Sequence, residues 1–396
     1  MNSPGEIFLP KGFKFSAVTA GIKASGKPDL ALILADPATT AAALFTRNRI
    51  VAAPLEIGRA ALSKSRGQIR AVIVNSGNAN CATGDTGISN CREVCSALAR
   101  LLGVEPQQVF PSSTGIIGVR LPTAKILSHL SALVHAADAS GERLLEFADA
   151  ILTTDTRPKL ASVRLSSGVA ITGIAKGAGM IHPQLATMLV YLLTDALATT
   201  GELTRVLRRA GNQSFNLISV DGDTSTNDTV LLLASGQSKI KLRNESSKFE
   251  DALREVCRSL AEQIVADGEG VQHVIRLSVL QAKSRDEALQ VARTIAHSLL
   301  VKTAWAGADP NWGRILAAIG RSGVAVDPKR ISLTIGDQTV CRGSVAYPFD
   351  QARAHEALSK PECSIAVHLG RGRASVEFLT TDLSSEYVKI NADYST

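Results

Sequence analysis

The chain has 396 residues, 45% of them hydrophobic, enough for two or three domain-sized units with large cores. Its formal charge of +7 is scattered and only 4% of residues are aromatic. That excludes a dedicated nucleic-acid surface of clustered basic and stacking side chains and suits an acidic small substrate. No apolar run approaches the ~18 residues of a membrane-spanning helix, and the first ten residues hold no apolar leader core. The six cysteines, Cys81, Cys91, Cys95, Cys257, Cys341 and Cys363, form no C-x-x-C pair. A cytoplasmic protein with buried free thiols is expected, with no metal site, no membrane and no nucleic-acid partner.

In chain order, β-favouring runs at Phe15–Ile22, Leu30–Ala35 and Ala41–Phe45 predict a meander. A helix at Leu55–Lys64 precedes a buried strand, Ile69–Val74, which enters a turn-forming loop at 75–80, and an amphipathic helix follows at Thr86–Leu102. A short strand near Val109 leads into Pro111-Ser-Ser-Thr-Gly-Ile-Ile-Gly118. Helices at Pro122–Ala137 and Gly141–Leu152 end at Thr153-Thr-Asp-Thr156. Two β-runs, Leu160–Leu165 and Val169–Ala175, reach a Gly-rich loop, Lys176-Gly-Ala-Gly-Met-Ile-His-Pro183. Beyond it Ala186-Thr187 opens the apolar run Met188–Leu193, which reads as a buried strand.

After it come a helix at Glu202–Ala210, a strand at Asn216–Val220, a polar loop at 221–228 and a strand at Thr229–Ala234. A helix at Lys248–Ala266 ends in Asp267-Gly-Glu-Gly270, followed by a strand at Val271–Leu280 and a helix at Arg285–His297. Leu300–Trp305 reads as a strand, before the loop Gly307–Gly313 and a helix from Arg314. A hairpin turning at Gly336-Asp337, a helix at Asp350–Ser359 and strands at Ser364–Leu369 and Ala374–Leu379 complete the order. Mixed sheets covered by helices, in layers, are the economical architecture.

Thr187, at the head of its strand, is either an ordinary β-favouring residue or a nucleophile. A threonine hydroxyl needs a base, and its own free α-amino group is one solution. Because Thr187 is internal, that solution predicts cleavage of the Ala186–Thr187 bond, by attack of the hydroxyl on the Ala186 carbonyl and hydrolysis of the resulting ester. The released amine, with a pKa of about 8, then suits a base. Acyl transfer also needs donors to the oxyanion. Thr114 and Gly115 offer a hydroxyl and a backbone N–H, or else form a plain strand-to-helix turn. Lys176 can bind a substrate carboxylate or stay solvated, and Glu269 can face a cationic amine or mark a surface turn. His182, with no carboxylate orienter near it in sequence, reads as structural. The glycine-containing loops match neither phosphate-loop nor EF-hand spacing.

These pieces together resemble the ornithine acetyltransferase (glutamate N-acetyltransferase) family over nearly the whole chain. The likeness is carried by Lys176-Gly-Ala-Gly-Met-Ile-His-Pro, Ala186-Thr-Met-Leu, Ser214-Phe-Asn, Val220-Asp-Gly-Asp-Thr-Ser-Thr-Asn-Asp228, Asp267-Gly-Glu-Gly270, Val301-Lys-Thr-Ala304, Asp309-Pro-Asn-Trp-Gly-Arg314 and the C-terminal Tyr387–Thr396. Ala308, where an acidic residue is expected, and Trp305, where smaller residues are frequent, depart from it.

The resemblance implies a layered α-β-β-α sandwich of mixed sheets, similar to N-terminal-nucleophile hydrolases but with its own topology. It implies self-cleavage into chains 1–186 and 187–396, the second with a smaller C-terminal lobe from about residue 285, assembled as an α2β2 heterotetramer. It further implies ping-pong transfer of acetyl from N2-acetylornithine to L-glutamate through acetyl-Thr187, with no cofactor and with acetyl-CoA open as a further donor. By match to the family's motifs, Thr114 and Gly115 correspond to its oxyanion hole, and Thr153, Lys176, Thr187, Glu269, Asn391 and Thr396 to its substrate-contacting positions. A threonine-nucleophile amidohydrolase or aminopeptidase of similar fold, and a non-catalytic binding protein, are the alternatives.

Overall fold

The computed structural model describes residues 6–182 and 188–393. The first part runs β1 (Phe13–Val18), β2 (Leu30–Ala35), β3 (Thr40–Phe45), α1 (Ala53–Lys64), β4 (Ala71–Asn78), α2 (Gly84–Leu102), β5 (Val109–Ile116), α3 (Thr123–His135), α4 (Gly141–Ala150), β6 (Lys159–Arg164) and β7 (Ala170–Lys176). Next come β8 (Leu189–Thr194), α5 (Thr200–Asn212), β9 (Ile218–Ser219), β10 (Thr229–Ala234), α6 (Ser246–Ala266), β11 (Val274–Ala282), α7 (Arg285–Ala296), α8 (Leu299–Ala306) and α9 (Trp312–Gly320). The last are β12 (Ser332–Ile335), β13 (Gln338–Arg342), β14 (Val345–Ala346), α10 (Gln351–Leu358), β15 (Glu362–His368), β16 (Ala374–Thr381) and α11 (Ser385–Asp393).

Among the described residues the strands form three sheets, ordered β1-β2-β4-β5, β3-β10-β8-β7-β6 and β14-β13-β12-β15-β11-β16-β9. Every residue of β8 is buried, which its unbroken run Leu-Val-Tyr-Leu-Leu allows because neither face meets water. Leu189, Tyr191 and Leu193 pack with Leu231 and Leu233 against Phe15, Ile33, Val72 and Phe110 of the first sheet. Val190 and Leu192 face the other way, with Val230 and Leu232, onto Val206, Leu207, Leu253, Val256 and Leu260 of α5 and α6. The far face of the first sheet, through Leu30, Leu32 and Ile73, is covered by Val94 and Leu98 of α2 and Ile126 and Leu130 of α3. Two sheets sandwiched between two helical layers follow directly, which is the expected α-β-β-α arrangement. The third sheet builds a separate core with α7, α8 and α9, in which Trp305 is among the largest fully buried side chains.

Several local expectations change. The predicted meander holds only for β1 and β2, which pair antiparallel. A turn at 36–39, closed by Thr39 N–H to the Asp36 carbonyl (3.0 Å), sends β3 to the second sheet, where it pairs with β10. Leu300–Trp305 is not a strand but lies in helix α8. Val301, Ala304, Trp305 and Ala308 are buried while Leu299, Leu300 and Thr303 are exposed, so the spacing is helical and a short apolar run disguises it. Lys176, expected in a loop, is the last residue of β7, and Thr114-Gly115 lies within β5 rather than in a turn after it.

Candidate active site

Antiparallel pairing of β7 with β8 sets Lys176 opposite Leu189, two residues beyond Thr187 in sequence. Met188, just before β8, is held by its N–H to Asp228 Oδ1 (3.1 Å) and its carbonyl to Thr229 N–H (3.1 Å). Thr187, Ala186 and Thr396 lie outside the described residues.

Lys176 is only 3% exposed. Its Nζ donates to Thr153 Oγ1 (2.7 Å) and Thr114 Oγ1 (3.4 Å), and lies 3.5 Å from Asp155 Oδ2. Thr114 and Gly115 arrive on β5, which runs parallel to β4 with a register shift at Gly77 and Asn78. Gly115 has φ +132°, and a Cβ there would overlap the Gly77 carbonyl carbon and sit 2.5 Å from Asn78 N. Only glycine lets the two backbones meet. Asn227, from the polar loop before β10, ties down this end of β5 by donating from Nδ2 to the carbonyls of Ala79 (2.7 Å) and Ser113 (2.8 Å).

Opposite, Glu269 follows α6, its N–H bonded to the Ala178 carbonyl (3.0 Å). Its Oε2 accepts Asn391 Nδ2 (2.8 Å) from α11. A Cβ on Gly179 would fall 2.5 Å from Glu269 Oε1, so the Gly-rich loop gives the carboxylate its room. Thr114, Gly115, Thr153, Lys176, Glu269 and Asn391 line a single pocket, together with Gly179, Met180, Ser225, Thr226 and Asn227. Trp305 and Ala308 are core residues of the third sheet's unit and do not line it.

Behind this pocket lies a buried chain of ion pairs that sequence reading missed. Asp155 Oδ1 pairs with Lys159 Nζ (2.6 Å), which pairs in turn with Asp267 Oδ2 (2.5 Å). Burial alone would raise the Asp155 carboxyl, but Lys176, Lys159 and the Gly177 N–H hold it far below the usual carboxylate range. Asp221 accepts Met180 N–H (2.5 Å) and Ile181 N–H (2.9 Å) in the Gly-rich loop. Burial pushes its carboxyl up to about 6, against hydrogen bonds that lower it. Burial likewise pushes Asp228 well above its ordinary value. His182 Nδ1 and His297 Nε2 are 3.1 Å apart, with Ser219 Oγ 3.0 Å from the latter. Burial lowers the two rings to about 4 and about 3, so they are neutral at pH 7. Asp155 and Lys159 are four residues apart, but their link to Asp267 spans 108 residues from Lys159 and gives no local signal. Asn227 stood inside a quoted motif without a role. Among the described residues no cluster of three or more His, Cys, Asp or Glu is arranged to hold a metal, and no helix is long and apolar enough to cross a membrane.

A protein-family model for the ArgJ family matches residues 14–396. The arginine biosynthesis bifunctional protein ArgJ of Methylococcus capsulatus is 45% identical over 394 residues, covering 97% of this chain and 95% of that one. That of Geobacter sulfurreducens is 46% identical, covering 98% and 99%. A crystal structure of the Bacillus halodurans ArgJ protein, 39% identical, superposes with a TM-score of 0.50 over 52% of this chain and 98% of that one. With the α-β-β-α layering, these likenesses define an acyltransferase of layered α/β fold. The chain belongs to the ArgJ family of arginine biosynthesis enzymes.

Proposed function

We propose that the chain is a self-processing acetyltransferase that moves acetyl from N2-acetylornithine to L-glutamate through an acetyl-Thr187 ester. The observation carrying this is the convergence of Thr114, Gly115, Thr153, Lys176, Glu269 and Asn391 on one pocket beside the strand that follows Thr187. In processing, Thr187 Oγ attacks the Ala186 carbonyl carbon, and water hydrolyses the ester to leave an Ala186 carboxylate and a free Thr187 amine.

In turnover the Thr187 amine takes the Oγ proton as Oγ attacks the acetyl carbon of acetylornithine. The proton then passes to the departing amine, and ornithine leaves. Glutamate's amine next attacks the ester, giving N-acetylglutamate and restoring Thr187. The Thr114 hydroxyl and Gly115 N–H stabilise the oxyanion in both halves. Lys176 and Thr153 hold substrate carboxylate, while Glu269, with Asn391 and Thr396, takes the ammonium end. Acetyl-CoA serves as a second donor, a reading supported by the word bifunctional in the relatives' names, and the enzyme works in the cytoplasm as an α2β2 heterotetramer.

Denaturing electrophoresis tests processing. Two bands corresponding to residues 1–186 and 187–396 are expected, while Thr187→Ala stays as one inactive band; an intact wild-type chain with full activity would overturn the mechanism. Product analysis then compares acetylornithine and acetyl-CoA as donors, each with glutamate. Acetate released without glutamate would favour the hydrolase.

A further inference from the structure

Lysine's ammonium carries three donors and no acceptor. Wherever Lys176 Nζ meets Thr114 Oγ1, at 3.4 Å, and Thr153 Oγ1, at 2.7 Å, the hydroxyl oxygens must therefore accept. The proton of Thr114 is then free to point elsewhere. Were Lys176 a neutral amine, its lone pair could take that proton and turn Thr114 away from any developing oxyanion. The charge on Lys176 thus sets the direction of a hydrogen bond.

A 3%-exposed ammonium needs a counter-ion, and among the described residues Asp155 is the carboxylate within reach, its Oδ2 3.5 Å from Nζ and its side chain fully buried. Asp155 is itself fixed by N–H groups from Thr153 (3.2 Å), which lines the pocket, and Gly177 (2.5 Å), which follows Lys176. Its other oxygen serves Lys159, whose charge is also met by Asp267. Two lysines and two carboxylates therefore balance, and only Asp155 touches both cations. We propose that Asp155 is a positioning residue, which keeps Lys176 charged and in place so that the Thr114 hydroxyl donates into the pocket. The inference rests on the reading of Thr114 as an oxyanion donor.

Steady-state acetyl transfer from acetylornithine to glutamate tests it. Asp155→Asn should lower kcat by about 10²-fold, the usual cost of one oxyanion donor, and should raise KM as well, because Lys176 and Thr153 also hold substrate carboxylate. The alkaline limb of its kcat profile should move down by at least about one pH unit, because a buried lysine without its counter-ion gives up its proton more readily. The charged groups facing the pair are Lys159, Asp267 beyond it, Asp228 on the Lys176 side, and Lys23 from the loop between β1 and β2. Burial lowers Lys23 to about 8. The shift must therefore persist in a Lys23→Met background, and its disappearance there overturns the inference.

Two charge-balanced double variants keep the test sound should the single variant fold poorly. Asp155→Asn with Lys159→Met and Asp267→Asn with Lys159→Met each remove one buried cation and one buried anion. Only the first takes the partner of Lys176. The first should show the full loss of kcat and the second should stay within about threefold of wild type; equal activity in the two overturns the role of Asp155. A wild-type enzyme that transfers no acetyl would sink the acyl-transfer reading and this inference with it, whereas an active wild type with matched double variants would sink the inference alone.

Discussion

Gly115 combines a φ of +132° with backbone contact to Gly77 and Asn78. An alanine there meets both a backbone conformation that side chains rarely adopt and a wall that cannot yield without moving β4. Gly115→Ala should cost on the order of 3 kcal/mol, seen as a lower urea midpoint, and should cut activity more than about a hundredfold because Thr114 moves with it. An alanine variant with wild-type midpoint and rate would mean that the close approach is dispensable. At this scale the sequence was legible where one residue type answers to one local demand, as with the glycines around Lys176 and Glu269. The glycine in Thr114-Gly115 was visible too, although its partner was not: the constraint comes from β4, which is 38 residues earlier in register. Asp155 was the harder case, since a carboxylate closing a helix looks like a solvated cap until a fold surrounds it with lysines.

His297 caps the C-terminus of helix α7, against the Gly-rich loop that carries His182. Besides burial, Arg293 lowers both rings, and His182, Lys302 and Arg321 add to the effect on His297. An unfolded histidine titrates near 6.5, so as pH falls below that value the unfolded chain takes up protons that the folded pair refuses until about 4 and about 3. Stability contributed by the neutral pair is therefore complete above pH ~7 and is lost progressively as pH drops towards 4. Asp221, on the neighbouring loop, has a folded value raised to about 6 and acts in the opposite sense over part of this range, so a variant comparison is needed. Melting temperature should fall between pH 7 and 5 more steeply for wild type than for His297→Gln. Parallel slopes would remove the pair from the account.

Elements were read well from sequence when one period ran long enough to declare itself, as in the 19 residues of α2 and the 21 of α6. The eight residues of α8 gave too little: two exposed leucines at its start filled out an apolar run that looked like a strand. Strand partners were beyond reach for a different reason. Local propensity says which residues extend, whereas the choice between β2 and β10 as neighbour for β3 depends on which face of Ala41 and Ala42 is covered, a property of the assembled layers.

For the whole molecule, the second sheet has the order β3-β10-β8-β7-β6. Three of these strands precede residue 186 and two follow 187, with β7 hydrogen-bonded to β8 along its length. The cores on both faces of that sheet mix side chains from the two sides. Scission at this point would leave two polypeptides that share a sheet and cannot part without unfolding, so they should elute together under native conditions. It would also change the order of the folding reaction. Before the cut, folding is an event within one chain and its midpoint is independent of concentration; afterwards two chains must find each other, and mass action enters. The denaturant midpoint of processed enzyme should therefore rise with protein concentration while that of Thr187→Ala stays constant, and a concentration-independent midpoint for the processed form would argue against this coupling. Maturation, on this view, exchanges the capacity to refold alone for a reactive amine.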